Sequence, residues 1–162
     1  GSIFPMGSPS YGDVTRAFLK PIPNPSGDWS VEIGFTSNGA LGNYAGFGLV
    51  MMNAGGNRSL LLRNGVSSDG IITTRLSLPG GFNSNLFGVG KPSGAPEFYR
   101  ISKVGDNLNY YFSADGRSWI LLATEGATAW LSSPPDLIGP GGFYNRDWGP
   151  VTISVQYWKQ SW

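Results

Sequence analysis

Residues 98–119 have the sequence FYRISKVGDNLNYYFSADGRSW, in which short runs rich in apolar residues are separated by two turn sequences. The first turn falls at residues 105–107 (GDN) and the second at residues 114–117 (ADGR). Turns of this kind supply the positive φ angles that tight connections between antiparallel strands require. The stretch therefore predicts two β-hairpins in succession.

The second turn has side chains that suit a hairpin. Asp115 can accept hydrogen bonds from the turn backbone, and Gly116 can adopt the left-handed conformation. Trp119 is expected to pack beside the ring of Tyr111 or Phe112 on the neighbouring strand. We therefore expect Asp115 to have a structural role and not a catalytic one.

The same pattern of short strands and turns continues along the chain. In residues 29–36 every second side chain is apolar, which is typical of a half-buried strand. Residues 47–52 are continuously apolar and predict a strand that is buried on both faces. In residues 151–158, the side chains expected to share one face are Val151, Ile153, Val155 and Tyr157.

The remaining segments complete an all-β prediction. Residues 80–96, which are rich in Gly, Asn, Ser and Pro, are interpreted as a long loop. Roughly ten to twelve strands and no firm helix predict an all-β, two-sheet antiparallel β-sandwich, a jelly roll. Residues 1–10 are interpreted as an N-terminal tag remnant or extension, and residues 11–162 as a single sandwich domain. The further expected strands are residues 59–63, 71–78, 98–104, 108–112 and 119–124.

The second hairpin resembles that of the concanavalin A-like superfamily, which includes the legume lectins, laminin-G domains and pentraxins. In the bacterial and phage branch of this superfamily the turn follows the pattern tyrosine-serine-x-aspartate-glycine-x-x-tryptophan. Phe112 stands here at the position that is usually tyrosine. The matching positions of this chain are Phe112, Ser113, Asp115, Gly116 and Trp119.

The resemblance extends more loosely to most of the chain from about residue 11. Residues 29–35, the strand around Ala45-Gly46-Phe47-Gly48-Leu49, and residues 151–158 also fit. It implies a concanavalin A-like jelly roll, a fold used by lectins and by glucanases. Many members bind calcium near the sugar site, and phage tail fibres and tail-tip proteins carry domains of this type.

The composition excludes several kinds of chemistry. The chain has no cysteine and no histidine, which removes thiol nucleophiles, imidazole bases and the usual zinc sites. Its net charge is +1 without a basic stripe, so no nucleic-acid partner is expected. No apolar run approaches the roughly 18 residues that a spanning helix needs, so no membrane insertion is expected.

Catalysis is not expected either. Glycoside hydrolases place two carboxylates across the bond that is cleaved, and the resemblance implies a glutamate-x-aspartate-x-x-glutamate strand that this sequence lacks. None of the ten acidic residues is closer than four positions to the next. A glycoside hydrolase or lyase would therefore need carboxylates that converge from different strands.

Binding of carbohydrate is the preferred hypothesis, with a site in a long loop predicted at residues 139–150 at one rim of the sandwich. Sugar sites combine flat rings with planar hydrogen-bonding groups, and this Gly-rich segment concentrates both. A simpler alternative stays open, in which Phe143 and Trp148 only cap the core. The candidate carbohydrate-binding residues are Tyr144, Asn145, Arg146, Asp147 and Trp148, with Asn43 and Tyr44 expected at the same rim.

No cofactor is firmly expected, although calcium is compatible with the resemblance. Asp136 and Asp147 flank the Gly-rich segment, and they are candidate ligands of one ion if the fold brings them together. The surface is rich in serine and asparagine and poor in charge, which suits an extracellular or virion-surface protein.

The sequence therefore predicts a non-catalytic glycan-binding domain of a phage receptor-binding or bacterial surface protein. The main alternative is a structural or assembly domain whose aromatic residues mediate subunit contacts, with a homo-oligomer inside a larger parent protein.

Overall fold

The computed structural model describes residues 14–38, 45–55, 58–64, 70–77, 81–90, 97–129, 131, 133–144 and 152–162. Within these residues the chain forms twelve strands and no helix, so no helix there is able to cross a bilayer. The strands are β1 (Val14–Ala17), β2 (Lys20–Pro21), β3 (Trp29–Asn38), β4 (Ala45–Met52), β5 (Arg58–Asn64), β6 (Gly70–Ser77), β7 (Gly81–Gly90), β8 (Glu97–Val104), β9 (Asn107–Ser113), β10 (Ile120–Gly126), β11 (Leu137–Tyr144) and β12 (Thr152–Ser161).

The strands form two antiparallel sheets. The seven-stranded sheet has the order β1–β11–β4–β5–β6–β7, with β2 also paired to β11. The five-stranded sheet has the order β10–β9–β8–β3–β12. The predicted all-β, two-sheet antiparallel sandwich is confirmed.

The core lies between the sheets and is rich in aromatic rings. Phe35 of β3 meets Phe47 of β4 edge to face, with ring centroids 5.0 Å apart, and Tyr99 of β8 stacks on Phe35 at 5.5 Å. Val50 lies outside this cluster but is fully buried as well, which confirms that β4 is buried on both faces. The other buried apolar residues of the core are Ile22, Trp29, Val31, Ile33, Leu49, Met51, Ile101, Leu108, Tyr110, Phe112, Ala127, Leu131, Ile138 and Ile153.

Strand β11 shows that the loop predicted at residues 139–150 was wrong for its first six residues. The strand pairs with β4 along its whole length and with β1 and β2 on its other side. The glycines permit close backbone approach, because a Cβ at Gly142 would collide with the carbonyl oxygen of Gly46. The Gly-rich composition that suggested a loop therefore reflects crowding around a central strand.

The proline in β11 lies where the neighbouring ladder is interrupted. β1 ends at Ala17 and β2 begins at Lys20, so Pro140 faces the gap between them. There the Phe18 N–H donates to the Pro140 carbonyl oxygen at 2.9 Å. Because a proline has no N–H to offer a ladder, this irregular position accommodates it.

Two further strand predictions need correction. Residues 81–90 form β7, which pairs with β6 across two register shifts, so the predicted loop at residues 80–96 is wrong over this range. In β12 a bulge between Val155 and Tyr157 shifts the register. Tyr157 therefore lies on the opposite face from Ile153 and not on the same face as predicted, because one extra residue reverses the alternation.

Candidate functional site

The predicted carbohydrate-binding segment begins where β11 ends. Tyr144, the last residue of β11, pairs with Ala45, the first residue of β4. In the other sheet, Asn38 at the end of β3 pairs with Thr152 at the start of β12. The chain therefore passes from one sheet to the other three times at this end of the sandwich, between β3 and β4, between β7 and β8, and between β11 and β12. The predicted site residues that lie outside the described residues are Asn43, Tyr44, Asn145, Arg146, Asp147 and Trp148.

A buried carboxylate lies near this end of the sandwich. Glu97, the first residue of β8, pairs with Phe35 on β3 and is 3% exposed. Its Oε2 accepts a hydrogen bond from the Tyr99 hydroxyl at 2.8 Å. A buried acid is tolerated because it is hydrogen-bonded, so Glu97 contributes a polar group beneath the end at which the predicted segment begins.

Asp136, the other predicted calcium ligand, holds a turn at the opposite end of β11. Its Oδ2 accepts a hydrogen bond from the Ala54 N–H at 2.6 Å. Asp147 lies outside the described residues, so the calcium site predicted at Asp136 and Asp147 stays a prediction. No group of three metal-ligating acids occurs in the described part of the chain.

The side of the five-stranded sheet that faces away from the core, here called the outer face, carries a row of charged and aromatic residues. Tyr111 of β9 lies opposite Arg100 of β8. Glu32 of β3 lies between Arg100 and Lys159 of β12. The row crosses four strands and is therefore about 14 Å long.

Glu32 is the centre of this row, and it is only 4% exposed although it lies on the outer face. Its Oε1 accepts a hydrogen bond from Arg100 Nε at 2.9 Å and lies 2.7 Å from Arg100 Nη2. The Tyr157 hydroxyl donates to Oε2 at 3.0 Å, and Lys159 Nζ lies 3.9 Å from Oε1. Groups on both neighbouring strands thus compensate the buried carboxylate.

Arg100 also contacts two rings of the outer face. Its guanidinium carbon lies 4.0 Å from the centroid of the Trp119 ring and 5.7 Å from that of Tyr111. Contacts of this kind are attractive because the ring face is electronegative. Trp119 was predicted to pack beside Tyr111 or Phe112, and the structure places the Arg100 guanidinium over both Trp119 and Tyr111.

Tyr157 and Phe98 form the next row along the strands. Their rings meet edge to face with centroids 6.0 Å apart. Burial raises the pKa of Tyr157 above its ordinary value, and the hydrogen bond to Glu32 raises it further. The neutral phenol is therefore the favoured form, and it serves as the donor to Glu32.

On the other side of the Arg100 row, the outer face carries small polar side chains. The register aligns Asn109 with Ser102 and Ser102 with Ser30. Thr124 of the edge strand β10 donates to Asn109 Oδ1 at 2.7 Å. Hydroxyl and amide groups thus lie about 7 Å from the guanidinium row, two residues further along each strand.

The predicted turn at Asp115 is confirmed. Asp115 Oδ1 accepts hydrogen bonds from the N–H groups of Arg117 and Ser118, each at 2.8 Å, and Gly116 has a φ of 71°. Hydrogen bonds from the backbone of Ser118 and Arg117, in that order of effect, hold the pKa of Asp115 well below its ordinary value. The carboxylate is engaged within the turn, which positions Trp119 next to the outer face.

Lys103 occupies the opposite end of the sandwich and is 2% exposed. Its ammonium donates to the carbonyl oxygens of Ser26, Gly27 and Gly105, at 2.8, 3.2 and 2.6 Å. The lysine head group therefore fills a cradle of backbone oxygens that joins two loops.

The site residues predicted from the sequence did not include Glu32, Arg100, Lys159 or Lys103. One signal was present, since Glu32 and Arg100 each stand at an outward position of an alternating strand. Their contact depends on the pairing of β3 with β8, however, and 68 residues separate them in the chain. Alternation predicts a face but not the partner strand.

No protein-family profile and no curated protein matches this sequence. Solved structures match its fold. The GH43 protein BlXynB from Bacillus licheniformis superposes with a TM-score of 0.67 at 12% identity, covering 82% of this chain and 27% of that one. The chain therefore spans about a quarter of BlXynB.

Two carbohydrate-binding modules are also similar in structure. CBM66 from Bacillus subtilis gives a TM-score of 0.56 at 13% identity and covers 98% of this chain and 91% of that chain. The CBM2 module of the evolved Dit protein of Lactobacillus casei BL23 phage J-1 gives 0.55 at 13%, covering 90% and 68%. These likenesses show a shared β-sandwich fold.

Proposed function

We propose that this chain is a non-catalytic carbohydrate-binding domain of the concanavalin A-like type. The observation that carries the proposal is the outer face of the five-stranded sheet. It combines three rings, a guanidinium and a row of hydroxyl and amide groups on one rigid surface. Flat rings stack on sugar faces, and planar polar groups bond hydroxyls. The rings are those of Tyr111, Trp119 and Tyr157.

The predicted segment around Trp148 is a second candidate surface of the same domain. Its support is the cluster of strand ends that includes Tyr144 and Thr152, where three connections pass between the sheets. Glu97 lies near this end of the sandwich. A site there would use loop residues, whereas the outer face uses strand residues.

The engagement of the acidic side chains supports a non-catalytic role. Six of the described acids each accept a hydrogen bond that holds the fold, from a side chain or from the backbone. A general acid or base needs a carboxyl group that is free to reach the substrate. The six are Asp28, Glu32, Glu97, Asp115, Glu125 and Asp136.

The proposal extends to the setting in which the domain works. The two carbohydrate-binding modules of similar fold support glycan recognition, and one of them belongs to a phage protein. A low charge content and many serines and asparagines suit hydroxyl-rich ligands. We therefore place the domain in a phage receptor-binding or bacterial surface protein, outside the cell.

A glycan-array screen with and without calcium tests this function and locates its site. Tyr111→Ala removes a ring of the outer face, and Trp148→Ala removes the predicted ring of the second surface. Phe18→Ala is the matched control, because that ring is 62% exposed and belongs to neither surface. Loss of binding in one of the first two variants identifies the surface. A screen in which no glycan binds the folded protein would overturn the proposal.

Assembly is the second candidate function, and one observation favours it. Ile120 and Leu121 on the edge strand β10 are 56% and 53% exposed. Exposed apolar residues at a sheet edge suit a contact with another chain. Sedimentation of the wild type and of Leu121→Ser tests this, since an assembly domain would form an oligomer that the variant weakens.

A further inference from the structure

The outer face carries more positive than negative charge. Along its central row, two cations, Arg100 and Lys159, accompany the single carboxylate of Glu32. Arg100 directs both Nε and Nη2 to that carboxylate, and so it already balances the Glu32 charge. The positive charge of Lys159 is therefore in excess.

Lys159 is held only loosely by the protein. Its ammonium lies 3.9 Å from Glu32 Oε1, and its side chain is 61% exposed. An ion pair of that length and exposure contributes little to stability, so the ammonium is available to another anion. Arg100 also offers a free edge, because among the described residues only its Nε and Nη2 contact Glu32. Its side chain is 25% exposed.

Polar groups that suit sugar hydroxyls lie beside these cations. Ser30 aligns with Ser102 on one neighbouring strand and with Ser161 on the other. This row lies two residues along the strands from the charged row. Asn109 continues this line on β9. The two rows are about 7 Å apart and each crosses four strands, so together they match a chain of sugars better than a single sugar.

The geometry points to an anionic polysaccharide, with carboxylate or sulfate groups on its sugar units, as the ligand of the outer face. This inference rests on the proposed carbohydrate-binding function and names the ligand class. Lys159 and the free edge of Arg100 bind the anionic group, and Ser30 and Asn109 bind neighbouring hydroxyls, whereas Ser102 between them is buried. Charge complementarity selects this occupant, because a neutral glycan leaves the ammonium of Lys159 without an anion.

The test compares polymers that differ only in charge. The protein is titrated with polygalacturonate and, separately, with its fully methyl-esterified form. Dextran sulfate and dextran are compared in the same way, and all titrations use one fixed ionic strength. Lys159→Gln removes the loosely held cation, and Lys20→Gln is the matched control. Both variants lower the net charge of +1 by one. Lys20 is exposed and lies 5.9 Å from the Trp158 ring, outside the two rows.

We expect binding of the charged polymer and weaker binding of its neutral counterpart. Lys159→Gln is expected to weaken the charged interaction about fivefold, a change equal to that of an exposed ion pair, while Lys20→Gln leaves it unchanged. Tighter binding of dextran sulfate identifies sulfate as the anion, and tighter binding of polygalacturonate identifies carboxylate. Both results support the inference.

Three outcomes would overturn the inference. Equal binding of charged and neutral polymers would refute the preference for an anionic ligand but leave the proposed carbohydrate-binding function in place. An equal loss in Lys20→Gln and Lys159→Gln would assign the attraction to net charge and not to the outer face. Binding of no charged polymer by the folded protein would also refute it, and the glycan-array screen then decides separately on the proposed function. Urea unfolding confirms that both variants remain folded.

Discussion

The ring of Phe98 lies against the backbone of Gly34 on the neighbouring strand, so closely that a Cβ at Gly34 would collide with it. A glycine in the interior of a strand weakens it. Here the glycine leaves room for the Phe98 ring against β3, where the Tyr157 ring meets it edge to face. The packing of aromatic rings at the end of the outer face near the Asp115 turn therefore depends on the absence of a side chain at Gly34.

Gly34→Ala should reduce the free energy of unfolding by about 1 to 3 kcal/mol, the usual range for overpacking. Because the strain comes from Phe98, the double variant with Phe98→Leu should lose less than the sum of the two single losses. Urea unfolding of the three variants measures this coupling. Strictly additive losses would show that Phe98 is not the residue that clashes with the added Cβ.

Glu32→Ala should destabilise the protein by about 2 kcal/mol. Removing one partner of a buried pair typically costs about 3 to 5 kcal/mol, and the exposed part of Arg100 reduces this loss. Lys159→Ala is the matched control and should change stability by less than about 0.5 kcal/mol. Chemical denaturation compares the two variants. Equal losses would mean that Arg100 is not the main partner of Glu32.

Asp115→Asn should make the protein less sensitive to acid. Because hydrogen bonds in the turn lower the pKa of Asp115 from its ordinary 3.8, the ionised carboxylate stabilises the fold above about pH 4. That contribution is lost as the pH falls below 3.8 towards the pKa of the folded state. Thermal melts from pH 7 to pH 2 should show the variant less stable at neutral pH, with the difference shrinking in acid. A constant difference would contradict this prediction.

Tyr157→Phe should alter stability in alkali. The pKa of Tyr157 is raised in the folded state, so the neutral phenol stabilises the fold below its ordinary value of 10.0. This contribution disappears as the pH rises from about 10 towards the pKa of the folded state. The wild type should therefore lose more stability than the variant between pH 9 and pH 11. Urea unfolding of both proteins at each pH measures this difference. Parallel curves would show that Tyr157 titrates normally.

Gly142→Ala should prevent stable folding, because the added Cβ meets the carbonyl oxygen of Gly46 in the centre of the seven-stranded sheet. Gly105→Ala is the comparison. No atom lies within 4 Å of a Cβ there, but the φ of 56° is strained for alanine and costs about 1 kcal/mol. Circular dichroism and melting temperature distinguish the two. A well-folded Gly142→Ala protein would mean that β4 and β11 can separate locally.

The sequence predicted those elements whose signal is local. The alternation of residues 29–36 identified β3, and Asp115 with Gly116 identified a hairpin turn that the structure confirms. Strand β11 was missed because glycine and proline normally mark loops, whereas here they relieve backbone crowding between Gly142 and Gly46. Crowding is a property of the assembled sheet and leaves no local pattern.

The predicted binding residues were drawn from aromatic and amide-rich sequence. That criterion selects loops, and it overlooked the outer face, where the rings of Tyr111, Trp119 and Tyr157 lie on or beside different strands. Only the successive pairing of β9 with β8, of β8 with β3 and of β3 with β12 brings these residues together. The bulge in β12 then turns Tyr157 outwards, and nothing in the alternating sequence predicts it.

The Asp115 turn obtains its shape from a few hydrogen bonds among its own residues. Ser113 and Asp115 bond the turn backbone, whereas the side chains of Ala114 and Arg117 are exposed. Substitution at these two positions leaves the fixing bonds intact. The turn thus offers a site where new side chains can be displayed beside the outer face with little penalty to folding. Recognition at this edge can therefore diversify by mutation while the sandwich stays the same.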